Sequence, residues 1–497
     1  MPQKKNTRKS KPKKDEACSD ATITLVDQFK DGLEGKKGDA GLKGRGTEEY
    51  RQIRKDLIQK ALSTVQAGKH IQNCKEQIVE NLRYIGEFNT SGGGLPSGKE
   101  VTLINDMEKL FYQGPIKDGV PNTPKGEEGI SIETNGSVYI GEWKEGEAFG
   151  NGILFDNYEN IFMGEFIAGQ LEGSGRELLK NGMILEGSFK VVEEDGNILS
   201  QLHGVGRLLD SDGYSFDGTW EDGMRNGAGI EKFPDGLVCL GDWENNLFTS
   251  GIIRHPDGTI EEGLFNRAYE LEGDGERTFN NGTKIKNIKD GHWENGYLHG
   301  WAQVSFPDKS DIKGFKGEFK DTIPNGYGKL SFKNGTVQEG QLENGNFTGK
   351  VKLVIPRKYT YEGELAAADS EEDTEKIGNF ITGVLEPNGK GKITFHDGSF
   401  YEGDWKCGMP HGDGVLSVPE QFQYSGDFVA GKFHGKGILT TNDDSYRYEG
   451  DFKDGKKSGK GKEFLSNNVV LEGTFSGDET IALKSINFRN LLDDESH

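Results

Sequence analysis

The chain alternates aromatic and polar positions in a pattern that returns at a fixed interval. In Tyr401-Glu-Gly-Asp-Trp405 the two aromatic residues and Gly403 lie two apart, so they share one face of an extended strand while Glu402 and Asp404 face the other way. The longer stretch YEGDWKCGMPHGDG, Tyr401 to Gly414, reads aromatic-x-Gly-x-Trp/Phe, a glycine three residues on, then Gly-x-Gly. Close copies begin at Tyr139 (YIGEWKEGEAFGNG), Phe162 (FMGEFIAGQLEGSG), Phe216 (FDGTWEDGMRNGAG), Tyr424 (YSGDFVAGKFHGKG) and Tyr448 (YEGDFKDGKKSGKG). The first glycine of each copy falls at Gly141, Gly164, Gly187, Gly218, Gly241, Gly263, Gly291, Gly317, Gly340, Gly363, Gly403, Gly426, Gly450 and Gly473, with most steps 22 to 24 residues. A constant period of this length marks a repeat array.

A second short strand follows each Gly-x-Gly and runs to an Asx-Gly pair, such as Asn135-Gly136, Asp212-Gly213, Asn334-Gly335 or Asp397-Gly398. Such pairs suit turns that need positive φ, so each repeat is expected to be one β-hairpin. The repeat glycine is expected to leave a gap for an aromatic ring from a neighbouring strand. Tyr139, Gly141, Trp143, Phe162, Gly164, Phe216, Gly218, Trp220, Trp243, Trp293, Phe319, Tyr401, Gly403, Trp405, Tyr424, Gly426, Tyr448 and Gly450 define the repeat. Several copies depart from the pattern. Cys239, Glu261 and Lys289 take aromatic places, and Asn246 and Thr322 take glycine places, which predicts local bends or exposed backbone.

The fold class is therefore mainly β: an elongated antiparallel β-hairpin solenoid of about 14–15 repeats with an amino-terminal helical segment. Gly supplies 74 of 497 residues, about twice its usual share, so the core is expected to be thin and aromatic. At roughly 4.8 Å per strand, fourteen hairpins make a ribbon on the order of 130 Å.

In chain order, residues 1–31 read as a basic disordered arm and residues 32–46 as a glycine linker. Gly32, Gly35, Gly38, Gly41 and Gly44 recur every third residue as in collagen, but without the proline a triple helix needs. Residues 47–83 read as a helical segment for capping or dimerisation, a coiled coil in the second case. Thr47 is placed to cap it, Ile53, Leu57, Ala61 and Val65 lie four apart, and a similar stripe resumes at Ile71, Cys74, Ile78 and Leu82. Residues 84–134 hold degenerate first repeats, residues 135–478 the array proper with inserts at 190–203 and 366–388, and residues 479–497 an acidic tail.

Charge and chemistry narrow the picture. The net charge is −22, yet Lys4, Lys5, Arg8, Lys9, Lys11, Lys13 and Lys14 make the amino-terminal arm basic, a candidate for weak phosphoinositide or nucleic-acid contact. The acidic body repels both. No apolar run has the length of a signal peptide or membrane span, which predicts a cytoplasmic protein, neither secreted nor membrane-spanning. Cys18, Cys74, Cys239 and Cys407 have no CxxC spacing, which fits a reducing compartment and argues against zinc. His203, His411 and His434 precede the first glycine of a Gly-x-Gly and His299 the glycine of the degenerate copy Gly300-Trp-Ala302, a place that Asn226, Asn325 and Ser458 also fill, so they read as structural. Glu402 and Asp404 read as solubilising charge. Gly93 to Lys99 imitates a phosphate-binding loop but continues with Glu100 where a hydroxyl residue would hold magnesium. No catalytic residue, cofactor-binding residue or metal ligand is assigned, no cofactor is expected, and the chain reads as no enzyme.

The repeat resembles the MORN repeat (membrane occupation and recognition nexus) over about residues 112 to 478. Tyr84-Ile-Gly-Glu-Phe88 opens one more copy on the same pattern. The resemblance implies a non-catalytic scaffold for protein–protein interaction. It is similar to the MORN-rich radial spoke head proteins of cilia and to cytoskeletal scaffolds, so axonemal or cytoskeletal protein partners, a location at the cilium or cytoskeleton and a homodimer are its implied properties. Its alternatives are a phosphoinositide or membrane tether, and an accessory subunit to a separate enzyme.

Overall fold

The computed structural model describes residues 45–68, 75–79, 81–90, 94–105, 107, 109–194, 196–367, 375–377, 380–382, 385–466 and 469–477. The basic arm, the glycine triplets up to Gly44, the acidic tail and residues 368–374, 378–379 and 383–384 of the 366–388 insert lie outside these residues. Strand accounts for 68% of the structure, with one described helix, and the strands follow one another as consecutive antiparallel hairpins, a β-hairpin solenoid. The chain divides into two compact units, Met1–Pro256 and Asp257–His497.

Two kinds of turn alternate along each unit. Strand Phe400–Lys406 passes to Met409–Val418 through Cys407 and Gly408 alone, with Lys406 opposite Met409. Cys407 and Gly408 have φ of 48° and 70°, and positive φ at both central residues is what a two-residue type I′ hairpin requires. The Asx-Gly pairs form the other kind of turn, joining one repeat to the next. At Asp397-Gly398 the Phe395 N–H donates to Ser399 O at 2.8 Å, and the Asp397 carboxylate accepts from the Ser399 N–H at 2.8 Å. The tighter hairpin turn is thus the one after Trp405, while the Asx-Gly turn links repeats.

Gly-x-Gly lies inside the second strand, where it forms a bulge. Gly403 pairs with Gly414 and Asp404 with His411, so the register slips between them. Gly412 takes up the slip at φ 58°, as a bulge glycine in the left-handed region does.

The helix, α1, spans Arg45–Gly68. Where it is described, the expected continuation to residue 83 is strand and not helix: Lys75–Val79 and Leu82–Gly86 pair with each other, Val79 opposite Leu82, while residues 69–74 lie outside the described residues. The Ile78 to Leu82 spacing fits a helix stripe as well as two strand ends, and pairing of Leu82–Gly86 with Pro96–Asn105 decides for strand. Nor does α1 cap the end of the array. At about 1.5 Å per residue it is roughly 36 Å long, some seven strand spacings, and it crosses the strands. Its Tyr50, Leu57, Ile58, Ala61, Leu62 and Val65 form one core with Ile104, Phe111, Ile132, Val138, Phe155, Ile161, Leu178 and Ile184 of the amino-terminal unit. The stripe that a coiled coil would need is taken up within the chain.

Candidate interaction surfaces

Each unit presents two sheet faces of different chemistry. On the first, Tyr401, Gly403 and Trp405 point together as the alternation requires. The ring of Tyr401 lies over its own hairpin's glycine pair: a Cβ at Gly403 would sit 2.6 Å from Tyr401 Oη, and one at Gly414 would meet the same ring. The gap is therefore filled from the glycine's own strand, not from a neighbouring one. The ring leans along the strand over residues two positions on, and only glycine leaves room beneath it. Its hydroxyl then donates to Asp404 O at 2.8 Å.

Trp405 fits between rings of successive repeats, 5.1 Å from Tyr401 and 5.5 Å from Tyr361, both edge-on. The alternation continues through Phe428, Tyr424, Phe452 and Tyr448 to Phe475 at centroid spacings of 4.9–5.1 Å. Tyr112, Trp143, Tyr139 and Phe166 repeat it in the amino-terminal unit, as do Trp220, Phe216 and Trp243. Edge-to-face pairs add about 0.5–1.5 kcal/mol each beyond burial. Burial also pushes the Tyr401 and Tyr424 hydroxyls well above the usual tyrosine range. Trp143, Trp293 and Trp405 donate their indole N–H to Gly129, Gly275 and Gly391 O, whereas those of Trp220 and Trp243 are buried without an acceptor.

Of the repeat-defining rings, Tyr139, Trp143, Phe216, Trp220, Trp243, Trp293, Phe319, Tyr401, Trp405, Tyr424 and Tyr448 are buried. Phe162 is only half-buried, and Leu171 covers the glycine pair Gly164 and Gly175 in its stead. Leu202 and Leu271 do the same over Gly187 and Gly263. These leucines stand two residues beyond a hairpin turn or in a lengthened hairpin, a place too variable to announce its role in the sequence.

Besides the strand pairing between successive repeats, one bond recurs at the hairpin turns. The second turn residue donates its N–H to a carbonyl of the preceding repeat: Gly408 to Pro387, Gly431 to Pro410, Gly455 to Phe433, Gly345 to Pro324. At Asn246 and Thr322 the turn and its bond to the preceding repeat persist without the glycine. Both keep positive φ, 69° and 64°, and both still donate, to Arg225 O and Leu298 O. Their side chains add a reciprocal bond, accepting from the Arg225 and Leu298 N–H at 2.8 and 2.9 Å.

Polar residues enter the first face where the sequence departs from aromatic. Glu231 is buried with Arg225 and the Tyr214 hydroxyl, and Glu261 with Arg277. Glu177 lies between Phe162 and Leu185, where burial, reinforced by the nearby Asp156 charge, pushes its carboxyl up to about 7.

The second face carries the residues between the aromatics. In the carboxy-terminal unit these form a cross-strand ladder of charge, with Lys352–Glu362 at 2.8 Å, Lys392–Glu402 at 2.9 Å and Lys462–Glu472 at 3.0 Å. Asp404, on the same face, is more than solubilising: like Asp427 and Asp451 it accepts a backbone N–H at the bulge, from Asp413, Lys436 and Lys460 respectively. In the amino-terminal unit the equivalent places are apolar under α1. Ile130, Ile140, Ile153 and Met163 stand opposite one another in register, packed on or within the helix core. That signal was visible as YIGEW and FMGEF where other copies have YEGDW.

His203 and His299 lie beside Asp222 and Asp321, and His411 and His434 lend backbone carbonyls to Tyr401 and Tyr424. No group of three or more His, Cys, Asp or Glu that would hold a metal occurs among the described residues. Ser97, Gly98 and Lys99 of the loop-like motif lie on the strand Pro96–Asn105, where Ser97 Oγ accepts from the Asp118 N–H. No helix among the described residues is long and apolar enough to cross a membrane.

The MORN repeat family model matches residues 139–158, 162–184, 216–238, 315–337, 386–400, 401–417, 424–446 and 448–469. The chain carries MORN repeats. The MORN matches omit the stretches around Cys239, Glu261 and Lys289, where the pattern degenerates. Alsin of Homo sapiens is 26% identical over 231 residues, 45% of this chain and 13% of its own length, and Alsin of Mus musculus is 26% identical over 226 residues with the same coverage. The chain thus matches about an eighth of those relatives. The TCP10 domain of Danio rerio CPAP is similar at 12% identity and a TM-score of 0.16, over 57% of this chain and all of that one. The SAS-4 TCP domain of Drosophila melanogaster, in complex with a proline-rich motif of Ana2, is similar at 10% identity and a TM-score of 0.18, over 50% and 88%. Nothing about this chain follows from likeness at that level.

Proposed function

We propose that the MORN array is a non-catalytic scaffold that binds other proteins, in a ciliary, radial-spoke-like or cytoskeletal assembly. The observation that carries this reading is the division of labour between the two faces. The same side chains recur on the aromatic face and are spent on stacking, as at Tyr401, Trp405 and Tyr424, while the residues that vary between repeats stand on the second face and at the hairpin tips. A face of fixed composition builds the array; a face of variable composition offers contacts. The MORN family match, a non-catalytic repeat family, supports the same class. From Lys329 to Glu402 the second face of the carboxy-terminal unit alternates Lys and Glu across six successive strands, before Val415, Ser425 and Ile438 interrupt it, and that run suits mixed-charge protein surfaces better than an anionic bilayer.

Proximity labelling with the full chain in its native cell tests the assignment. Axonemal or cytoskeletal proteins are expected to dominate, and a labelled set without any of them removes the ciliary and cytoskeletal reading. Flotation with phosphoinositide liposomes, with and without residues 1–14, separates the tether reading: lipid binding that survives the deletion would make the array itself the lipid reader.

A further inference from the structure

The second face of the amino-terminal unit bears two apolar rows, and the described structure covers only one. Under α1 lie Ile130, Ile140, Ile153 and Met163. Further along the same line of the sheet the register runs through Arg176, Glu186, Arg207 and Asp217, and then becomes apolar again at Ile230, Leu240 and Ile252. These three are mutual cross-strand partners, Leu240 is 42% exposed, and Val205 on the same face is 75% exposed.

The direction of α1 says which part of the chain can reach this row. Its carboxy-terminal half lies toward Glu128, to which Lys60 donates at 3.1 Å. Its amino-terminal end lies toward the strand of Arg176, which donates to Glu49 at 2.6 Å, with Tyr50 Oη donating to Glu159 O. The chain before Arg45 therefore leaves the helix on the side from which Ile230, Leu240 and Ile252 follow. They stand four, five and six strands beyond Arg176, roughly 19 to 29 Å at the usual strand spacing.

The residues before α1 contain one apolar cluster, Ile23, Leu25, Val26 and Phe29, in an otherwise polar and glycine-rich stretch. The fifteen residues 30–44 separate it from the helix. A glycine-rich coil of that length has a root-mean-square span of about 20–23 Å, close to the gap to be crossed. Charge is also complementary. Asp20, Asp27 and Asp31 flank the cluster, while exposed Lys232 and Arg254 stand on either side of Val238 on the same face.

We infer that residues 21–31 dock intramolecularly on the Ile230–Leu240–Ile252 row, with the glycine triplets as the tether between this contact and α1. Leu25, Val26 and Phe29 cover the exposed leucine, and the glycine period serves reach instead of a triple helix.

The test places a photo-crosslinking residue in the full-length chain as Leu240→p-benzoylphenylalanine. The expected product is an intramolecular crosslink into the peptide spanning residues 21–30. It should be unchanged by a hundredfold dilution and lost when Leu25→Asp and Phe29→Asp are introduced. A parallel reading needs no crosslinker: trypsin cleavage after Lys30 is expected to speed up about tenfold in Leu240→Asp with the far-ultraviolet circular dichroism unchanged. Crosslinks that miss residues 21–30 overturn the inference. So do crosslinks confined to covalent dimers that fade on dilution, which assign the row to a second copy, and equal cleavage rates in Leu240→Asp and the parent chain.

Discussion

Gly403 and Gly414 face each other under Tyr401, so their lack of a side chain is a matter of room and not of backbone freedom. Gly403→Ala is expected to cost about 2–3 kcal/mol in urea unfolding, because the new methyl meets the ring and the backbone at Asp413 and Gly414. Gly473→Ala, at the same place in the last repeat but with nothing within 4 Å, should change stability by less than about 0.5 kcal/mol. The tryptophans give a second contrast. Trp405→Phe forfeits the bond to Gly391 O and should cost about 1 kcal/mol more than Trp220→Phe, whose indole N–H has no acceptor to lose. Glu177 sets a pH dependence. Burial pushes its carboxyl up to about 7 in the folded state, above the ordinary carboxylate range, so between that range and pH 7 the folded state holds a proton that the unfolded state has released, and stability falls as pH rises through that window. Partial exposure reduces the effect to on the order of 1–2 kcal/mol, and Glu177→Gln should flatten the difference between unfolding midpoints at pH 5 and pH 8.

The two-residue turns are the element on which stacking depends, since each both reverses a strand and donates to the repeat before it. Cys407 holds φ 48° without the tolerance of asparagine for that region, so Cys407→Asn should stabilise by about 0.5–1 kcal/mol. Thr322→Gly relaxes the same kind of strain but strips the Leu298 N–H of its hydroxyl acceptor, and thermal unfolding should show a net loss of about 1 kcal/mol. The sequence made the aromatic strand and the Asx-Gly turns legible, because period-2 alternation and positive φ leave marks on single residues such as Tyr401, Gly403 and Asp397. It did not reveal that Gly412 is a bulge or that Thr322 can serve as a glycine, because both depend on which partner strand lies alongside. The spacing of Ile78 and Leu82 was misleading for a related reason: four residues over so short a run is shared by a helix and by the ends of two strands.

Across the whole molecule, α1 distinguishes the amino-terminal unit from the rest of the array. Leu57→Asp together with Leu62→Asp should release it and bare Ile130, Ile140, Ile153 and Met163. The expected readout is a rise in binding of a hydrophobic dye. The sequence predicted a helix at this place but not its seat, since Ile140 reads as a minor variant of Glu402 until the strands are laid side by side. The tip of the third array repeat shows how such a protein can enlarge. Phe189 and Leu202 occupy the places of Phe166 and Leu171, and the paired rungs Lys190–Gln201, Val191–Ser200, Val192–Leu199, Glu193–Ile198 and Glu194–Asn197 run outward from them. Length gained there is added sideways, two residues per rung, so inside and outside never exchange and no neighbour has to shift. Foreign peptides grafted at such a tip would ride at the margin of the array and leave its aromatic column undisturbed.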